Sequence, residues 1–204
     1  MSRKKEIRNK KPVIYLVVEG KNKTEKNYLL YFNRRENNFN LYFVNSEATD
    51  PESMIKKAVD IYRKNDLNEK NGDKVFCLID LDLSKERYQV INKMLQKNIY
   101  KKINVIFSNP CFEIWLLYHF IEYPRVEKCS SDVKKQLKNY IKNYEENFNN
   151  YEIIGIYEKY ITAMNRSENR NHLYSESIPL YERNPYTEVQ NLIDLFNQYN
   201  KQDK

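Results

Sequence analysis

The sequence predicts an α/β protein with a mainly parallel sheet, and three observations lead to this fold class. Four short apolar segments alternate with helical patterns over residues 13–121, and this alternation is typical of layered α/β domains. The first of these segments, Val13–Val18, is continuously apolar and β-branched, as expected for a strand buried on both faces. The chain has 204 residues and is 41 % hydrophobic, so it can bury a sizeable core.

The four predicted strands are each followed by a helix. The strands are Val13–Val18, Leu41–Val44, Val75–Ile79 and Ile103–Phe107. Thr24 opens the first helical pattern, and Asp50 before Pro51 is a typical N-cap for the second. Ser84 caps the third, and the fourth is the apolar helix 112–120. We therefore expect a four-stranded, mainly parallel sheet.

The remainder of the chain is expected to be helical, without further strands from about residue 130. Helical patterns cover residues 131–148, 152–166 and 188–199. We divide the chain into a basic tail (1–12), a sheet domain (13–125) and a C-terminal helical lobe (126–204) packed on that domain.

The chain carries a formal net charge of +7, and its N-terminus concentrates positive charge. Six of the first eleven residues are basic: Arg3, Lys4, Lys5, Arg8, Lys10 and Lys11. Such a run is either a solvated tail or an arm that contacts nucleic acid, and the sequence leaves both open.

Several classes of protein are excluded by composition. The longest apolar runs, Val13–Val18 and Phe112–Ile121, are too short to cross a bilayer. The N-terminus lacks the apolar region of a secretory signal. Three cysteines without metal-ligand spacing argue against a disulfide framework and a structural zinc site. We expect a reduced, cytoplasmic protein that does not enter a membrane.

Acidic residues follow two of the predicted strands. Glu19 ends the first strand, and Asp80 and Asp82 end the third. Ligands of open parallel sheets bind beyond the carboxyl ends of the strands, and a strand order of 2-1-3-4 would bring these carboxylates to one edge. Clustered carboxylates repel one another unless a cation such as Mg²⁺ neutralises them. The alternative is that they only cap helices and form turns.

Three blocks of sequence resemble the RloB family. They are Val18–Tyr28 (VEGKNKTEKNY), Ser108–Phe120 (SNPCFEIWLLYHF) and Asn184–Val189 (NPYTEV). Together with Asp80-Leu81-Asp82 they span nearly the whole chain. The resemblance implies a TOPRIM-like, three-layer sheet domain and an association with abortive-infection or restriction-modification loci, with an ABC-type ATPase encoded nearby as partner.

The resemblance also implies roles for individual residues. Glu19 would act as general acid/base or metal ligand, and Asp80 and Asp82 would hold Mg²⁺ or Mn²⁺. Glu25 would be a further ligand, although its place near a helix N-terminus also suits an electrostatic role there.

Other residues near this edge have two interpretations each. Asn109 and Glu113 are candidates for a second metal or for supporting contacts, and Glu113 is alternatively a buried ion-pair partner. Lys23 and Lys85 could contact phosphates or be ordinary surface charges. His119 lies on a different helical face from Glu113, so a packed, hydrogen-bonded histidine is expected.

The resulting expectation is a metal-dependent nuclease that cleaves DNA or RNA in anti-phage defence. The alternative is a non-catalytic or masked effector subunit that an ABC-type ATPase controls, and an oligomer is compatible with either. A phosphoacceptor receiver domain fits less well, because the chain is long and the first strand ends in Glu-Gly instead of an acid pair.

Overall fold

The computed structural model of the chain describes residues 10–20, 23–46 and 50–201. It contains a five-stranded mixed sheet in the order β2-β1-β3-β4-β5. The first four strands pair in parallel, and β5 is antiparallel to β4. The strands are β1 Val13–Glu19, β2 Asn40–Ser46, β3 Lys74–Asp80, β4 Ile103–Asn109 and β5 Tyr186–Thr187.

Seven α-helices accompany this sheet in the described part of the chain. They are α1 Thr24–Leu29, α2 Pro51–Lys64, α3 Lys85–Leu95, α4 Glu113–Tyr118, α5 Ser130–Lys138, α6 Tyr160–His172 and α7 Val189–Lys201. None of the described helices combines the length and the apolar character that a membrane crossing requires.

The strand residues alternate between two hydrophobic cores, because successive side chains point to opposite faces of a sheet. Leu16 of β1 packs in one core with Trp115 of α4 and side chains of α1, α5, α6 and α7. Its neighbour Val17 packs in the other core with Ile55 of α2 and Ile91 of α3. Both faces of the sheet are therefore covered by helices, as the continuous apolar runs indicate.

The predicted helix starts are confirmed by their capping contacts. Asp50 precedes Pro51, and its Oδ1 accepts a hydrogen bond of 2.8 Å from the backbone N–H of Ser53. Ser84 Oγ accepts one of 3.1 Å from the N–H of Arg87. These side chains satisfy N–H groups that have no partner within the helix.

The expected four-stranded sheet is wrong by one strand. The segment Tyr186–Thr187 adds β5 to the edge beside β4. The hydroxyl groups of Ser108 and Thr187 lie 3.1 Å apart, and the N–H of Glu188 donates to the carbonyl of Phe107. Two residues are too few to show strand periodicity in the sequence, so only tertiary contacts reveal this strand.

Two predicted helices of the C-terminal region are also shorter than expected. The helix predicted over 131–148 ends at Lys138, and turns follow so that Tyr144 enters the core. The helix predicted over 152–166 begins only at Tyr160 as α6, because Gly155 has a φ of +63° that interrupts the pattern.

Most of the predicted basic tail lies outside the described residues. Of its six basic residues, only Lys10 and Lys11 are described. Residues 21 and 22, in the first block that resembles the RloB family, are outside them too.

Candidate functional site

The carboxyl ends of β1 and β3 form the centre of the candidate site. These strands are parallel neighbours, so Glu19 at the end of β1 and Asp80 at the end of β3 belong to one edge of the sheet. Gly20 follows Glu19, and its N–H donates a 2.8 Å hydrogen bond to the carbonyl of Ser46. A Cβ atom at Gly20 would lie 2.4 Å from that oxygen. This close approach accounts for glycine directly after Glu19.

Glu25 lies in the first turn of α1 and is 6 % exposed. Its Oε2 atom is buried without a hydrogen-bond partner among the described residues. Burial raises the pKa of Glu25 to about 8, and the negative charges of Glu113 and Glu19 add to the effect. The cation of Lys134 acts in the opposite direction. Glu25 is thus a buried acid that is costly to ionise in this environment.

The pKa values of Asp80 and Glu19 are also raised. Burial raises the pKa of Asp80 well above its usual range, and Glu25 and Glu113 contribute the largest repulsions. Burial also raises the pKa of Glu19, although Arg87 partly offsets the change. Asp82 raises the pKa of both groups. We call Glu19, Glu25, Asp80, Asp82 and Glu113 the acid cluster.

Two hydrogen bonds engage the carboxylate of Asp82. Its Oδ2 atom accepts from Arg87 at 2.7 Å, and its Oδ1 atom accepts from the Ser130 hydroxyl at 2.6 Å. Asp82 and Leu83 both have positive φ, at 51° and 59°. Two consecutive left-handed non-glycine residues are strained, so the surrounding structure must hold this turn in place.

Asn109, at the end of β4, supplies much of that support. Its Oδ1 accepts a 2.9 Å hydrogen bond from the N–H of Leu83. Its Nδ2 donates to the carbonyls of Leu180, Tyr181 and Arg183. The side chain is fully buried, and its amide is committed to backbone atoms. These contacts favour a supporting role over a metal-ligand role for Asn109.

Glu113 begins α4 and is nearly fully buried. Its Oε1 accepts a 2.6 Å hydrogen bond from the Tyr144 hydroxyl and lies 3.9 Å from Lys134 Nζ. Lys134 also forms an ion pair with Glu146. Burial disfavours the Lys134 cation, but Glu113 and Glu146 outweigh this and raise its pKa. Glu113 therefore has an ion-pair partner in Lys134, as its interpretation as a buried ion-pair residue requires.

The remaining sequence candidates fall outside the acid cluster. Lys23 and Lys85 are exposed at the starts of α1 and α3, without an ion pair to any described residue. His119 is buried, with Nε2 2.9 Å from the Tyr28 hydroxyl and Nδ1 3.1 Å from the carbonyl of Trp115. Burial lowers the pKa of His119 to about 3, so the ring is neutral. The prediction of a packed histidine is confirmed.

Sequence reasoning missed three residues that contact the acid cluster, namely Ser130, Lys134 and Tyr144. They come from the C-terminal region, far from Glu19 and Asp80 in the chain, so no local pattern joins them to the site. One weak signal was available for Lys134, because it lies beside the apolar stripe of Val133 and Leu137 on α5.

The side chains of the acid cluster are not arranged as a metal-binding site. Within residues 10–20, 23–46 and 50–201, no group of three acidic, histidine or cysteine side chains could hold a metal ion as these side chains stand. Asp82 and Glu113 are engaged by Arg87, Ser130 and Tyr144. By contrast, neither Glu19 nor Asp80 forms a side-chain hydrogen bond or ion pair with a described residue.

Comparison with known protein families shows the family of this chain. Residues 14–196 match a family described as RloB-like protein. No curated protein and no solved structure matches the chain.

Proposed function

The chain belongs to the RloB-like family, and on that premise we propose that it is a Mg²⁺- or Mn²⁺-dependent nuclease with a TOPRIM-like sheet, acting on DNA or RNA in anti-phage defence. The observation that carries the proposal is the acid cluster. Burial and neighbouring carboxylates raise the pKa values of three of its acids, Glu19, Glu25 and Asp80, and the buried Oε2 of Glu25 has no hydrogen-bond partner among the described residues.

The donor set fits a hard divalent cation. Carboxylate oxygens are the ligands that Mg²⁺ and Mn²⁺ take in proteins, and the buried Oε2 of Glu25 lacks any partner among the described residues. Glu19, Glu25 and Asp80 would hold the ion, with Asp82 as a further ligand after it leaves Arg87. Side chains must reorient for this, since no group of three described residues is ready to bind as it stands. When bound, such an ion supplies Lewis-acid stabilisation of phosphate charge and lowers the pKa of water.

The other residues of the site would position these acids and the substrate. Asn109 holds the left-handed turn that carries Asp82. Lys134 provides positive charge beside Glu113 and lowers the pKa of Glu25. Lys23 and Lys85, exposed at two helix starts, would contact phosphates of the nucleic acid, because exposed lysines attract the polyanion.

The TOPRIM-like assignment rests on topology and on the placement of acids. The order β2-β1-β3-β4 brings the ends of β1 and β3 together, and acids occupy both ends. This is the arrangement that the resemblance to the RloB family implies for Glu19, Asp80 and Asp82.

A second candidate is a masked effector subunit that becomes active when an ABC-type ATPase partner releases it. The observation that favours it is the engagement of Asp82 by Arg87 and Ser130, which removes one acid from the cluster. In this case the isolated chain would be inactive, and Ser130→Ala or addition of the ATPase would restore activity. Activity of the isolated wild type equal to that of Ser130→Ala would contradict masking.

The test of the nuclease proposal is a cleavage assay with plasmid DNA, single-stranded DNA and RNA in Mg²⁺, Mn²⁺ or EDTA. Asp80→Asn replaces the carboxyl group that would ligate the metal with an amide of nearly the same shape, and it should abolish cleavage. The matched control is Glu69→Gln, because Glu69 is an exposed acid paired with Lys102. Equal cleavage by wild type and Asp80→Asn would indicate a contaminating nuclease and refute the assignment.

A further inference from the structure

Tyr144 links two helices of the candidate site through its hydroxyl group. It follows the end of α5 in the chain and is 1 % exposed. Its hydroxyl donates a 2.6 Å hydrogen bond to Glu113 Oε1 at the start of α4 and lies 3.2 Å from Thr24 Oγ1 in α1. Thr24 directly precedes Glu25 in the chain. Tyr144 therefore joins α4 to the residue beside a proposed metal ligand.

The start of α1 depends on contacts from elsewhere in the chain. The helix has only six residues, and helices of this length are marginal unless tertiary contacts hold them. Its N-cap residue is Lys23, whose side chain has no acceptor for the free N–H groups of the first turn. Glu25 lies in that turn. The position of Glu25 is consequently set by whatever fixes the beginning of α1.

The segment 144–148 supplies contacts of this kind. The carbonyl of Glu146 accepts a 3.1 Å hydrogen bond from the N–H of the N-cap residue and a 2.9 Å hydrogen bond from the Thr24 hydroxyl. The side-chain amide of Asn27 donates to two further carbonyls of the segment. These bonds fix α1 to the segment, and the hydroxyl of Tyr144 connects both to α4.

We propose that Tyr144 is a positioning residue of the metal site, which fixes Glu25 in place for the cation by linking the start of α1 to α4. This inference rests on the proposed function, because it assigns Tyr144 to the metal site of that function. The helix α4 is a suitable anchor, since all six of its residues are buried. Groups that orient the ligands of a metal from outside the ligand set typically contribute about ten- to a hundredfold to metal affinity.

The test measures the Mn²⁺ affinity of the full chain by electron paramagnetic resonance, for the wild type and Tyr144→Phe. This substitution keeps the ring and removes the hydroxyl, and it should raise the dissociation constant for Mn²⁺ by about ten- to a hundredfold. Loss of a merely structural contact would lower the thermal midpoint and leave the Mn²⁺ affinity of the folded chain unchanged. Only binding that Asp80→Asn abolishes is counted, because exposed carboxylates also take up Mn²⁺ weakly.

The matched control is Tyr151→Phe. The hydroxyl of Tyr151 is also buried, but it has no hydrogen-bond partner among the described residues. Its removal should leave Mn²⁺ binding as in the wild type. In the cleavage assay, Tyr144→Phe should need more Mg²⁺ for half-maximal cleavage and keep most of its rate at saturating Mg²⁺, because the proposed ligands themselves are unchanged.

Two variants of Thr24 test the other end of the link. Thr24→Val removes the hydroxyl with little change of shape and should weaken Mn²⁺ binding. Thr24→Ser keeps a hydroxyl and should bind like the wild type. This pair decides the question if Tyr144→Phe does not fold, and equal Mn²⁺ affinities of the two variants would overturn the proposal.

The remaining outcomes separate the positioning role from the proposed function. Unchanged Mn²⁺ binding by folded Tyr144→Phe, or an equal loss in Tyr151→Phe, would overturn the positioning role and leave the metal site intact. Tighter binding by Tyr144→Phe would also overturn it, because the hydroxyl would then only withhold Glu113 from the cation. A wild type that binds no Mn²⁺ at this site would refute the proposed function, and the positioning role with it.

Discussion

Replacing Glu25 with glutamine should remove a large part of the pH dependence of folding. In the folded chain the pKa of Glu25 rises from 4.5 to about 8 because the side chain is buried beside Glu113 and Glu19. Between these two pH values the folded state binds one more proton than the unfolded state, so wild-type stability must fall as pH rises. Glutamine has nearly the same shape and does not ionise.

The expected magnitude follows from the shift in the pKa of Glu25. Each pKa unit corresponds to about 1.4 kcal/mol, so this group alone should lower the free energy of unfolding by roughly 4 kcal/mol between about pH 5 and pH 8. Below pH 4.5 the contribution of Glu25 is fully present, and it is lost as the pH rises through about 8. At pH 8 Glu25→Gln should therefore be more stable than the wild type.

The assay is urea unfolding in EDTA at several pH values, for wild type, Glu25→Gln and the control Glu69→Gln. The pKa of Glu69 is lowered by its hydrogen bond to Lys102, so Glu69 stays ionised in both states across this range and adds no slope. The pKa values of Glu19 and Asp80 are raised like that of Glu25, so these groups also make stability fall with pH. The contribution of Glu25 is therefore the difference between the stability-versus-pH curves of the wild type and Glu25→Gln. Parallel curves for wild type and Glu25→Gln would refute the assignment of a buried, strained acid.

Two further substitutions test the support around the acid cluster. Asn109→Ala should lower the free energy of unfolding in urea by about 3 kcal/mol, because it leaves buried backbone groups at Leu83 and at residues 180–183 without partners. The control is Asn104→Ala, which removes a single hydrogen bond to Val75. A loss no larger than that of the control would contradict the supporting role of Asn109. Lys134→Met should lower the free energy of unfolding by about 2 kcal/mol, because Glu113 loses its partly buried counter-charge. The same variant should lose stability more steeply as the pH rises, because Lys134 lowers the pKa of Glu25 in the wild type. Lys135→Met is the control, since Lys135 is exposed and its ion pair within the described part of the chain is with Asp132. Equal effects of the two lysine variants would rule out a special role for Lys134.

Local patterns were sufficient for the first half of the fold. The four parallel strands are seven residues long and each contains an apolar run, and Asp50 and Ser84 cap their helices as predicted. In the C-terminal region the same reasoning failed in three places. A two-residue strand, a left-handed glycine and a turn that places Tyr144 in the core leave no periodic signal.

The sequence by itself determined the α/β class, the position of acids after the first and third strands, and the resemblance to the RloB family, because these depend on residues close together in the chain. Only the tertiary structure decided which side chains surround those acids. Lys134 and Tyr144 approach Glu113, and Ser130 binds Asp82, across long separations in sequence. The pKa of a carboxyl depends on burial and on the charges around it, and both are fixed only when distant segments pack together.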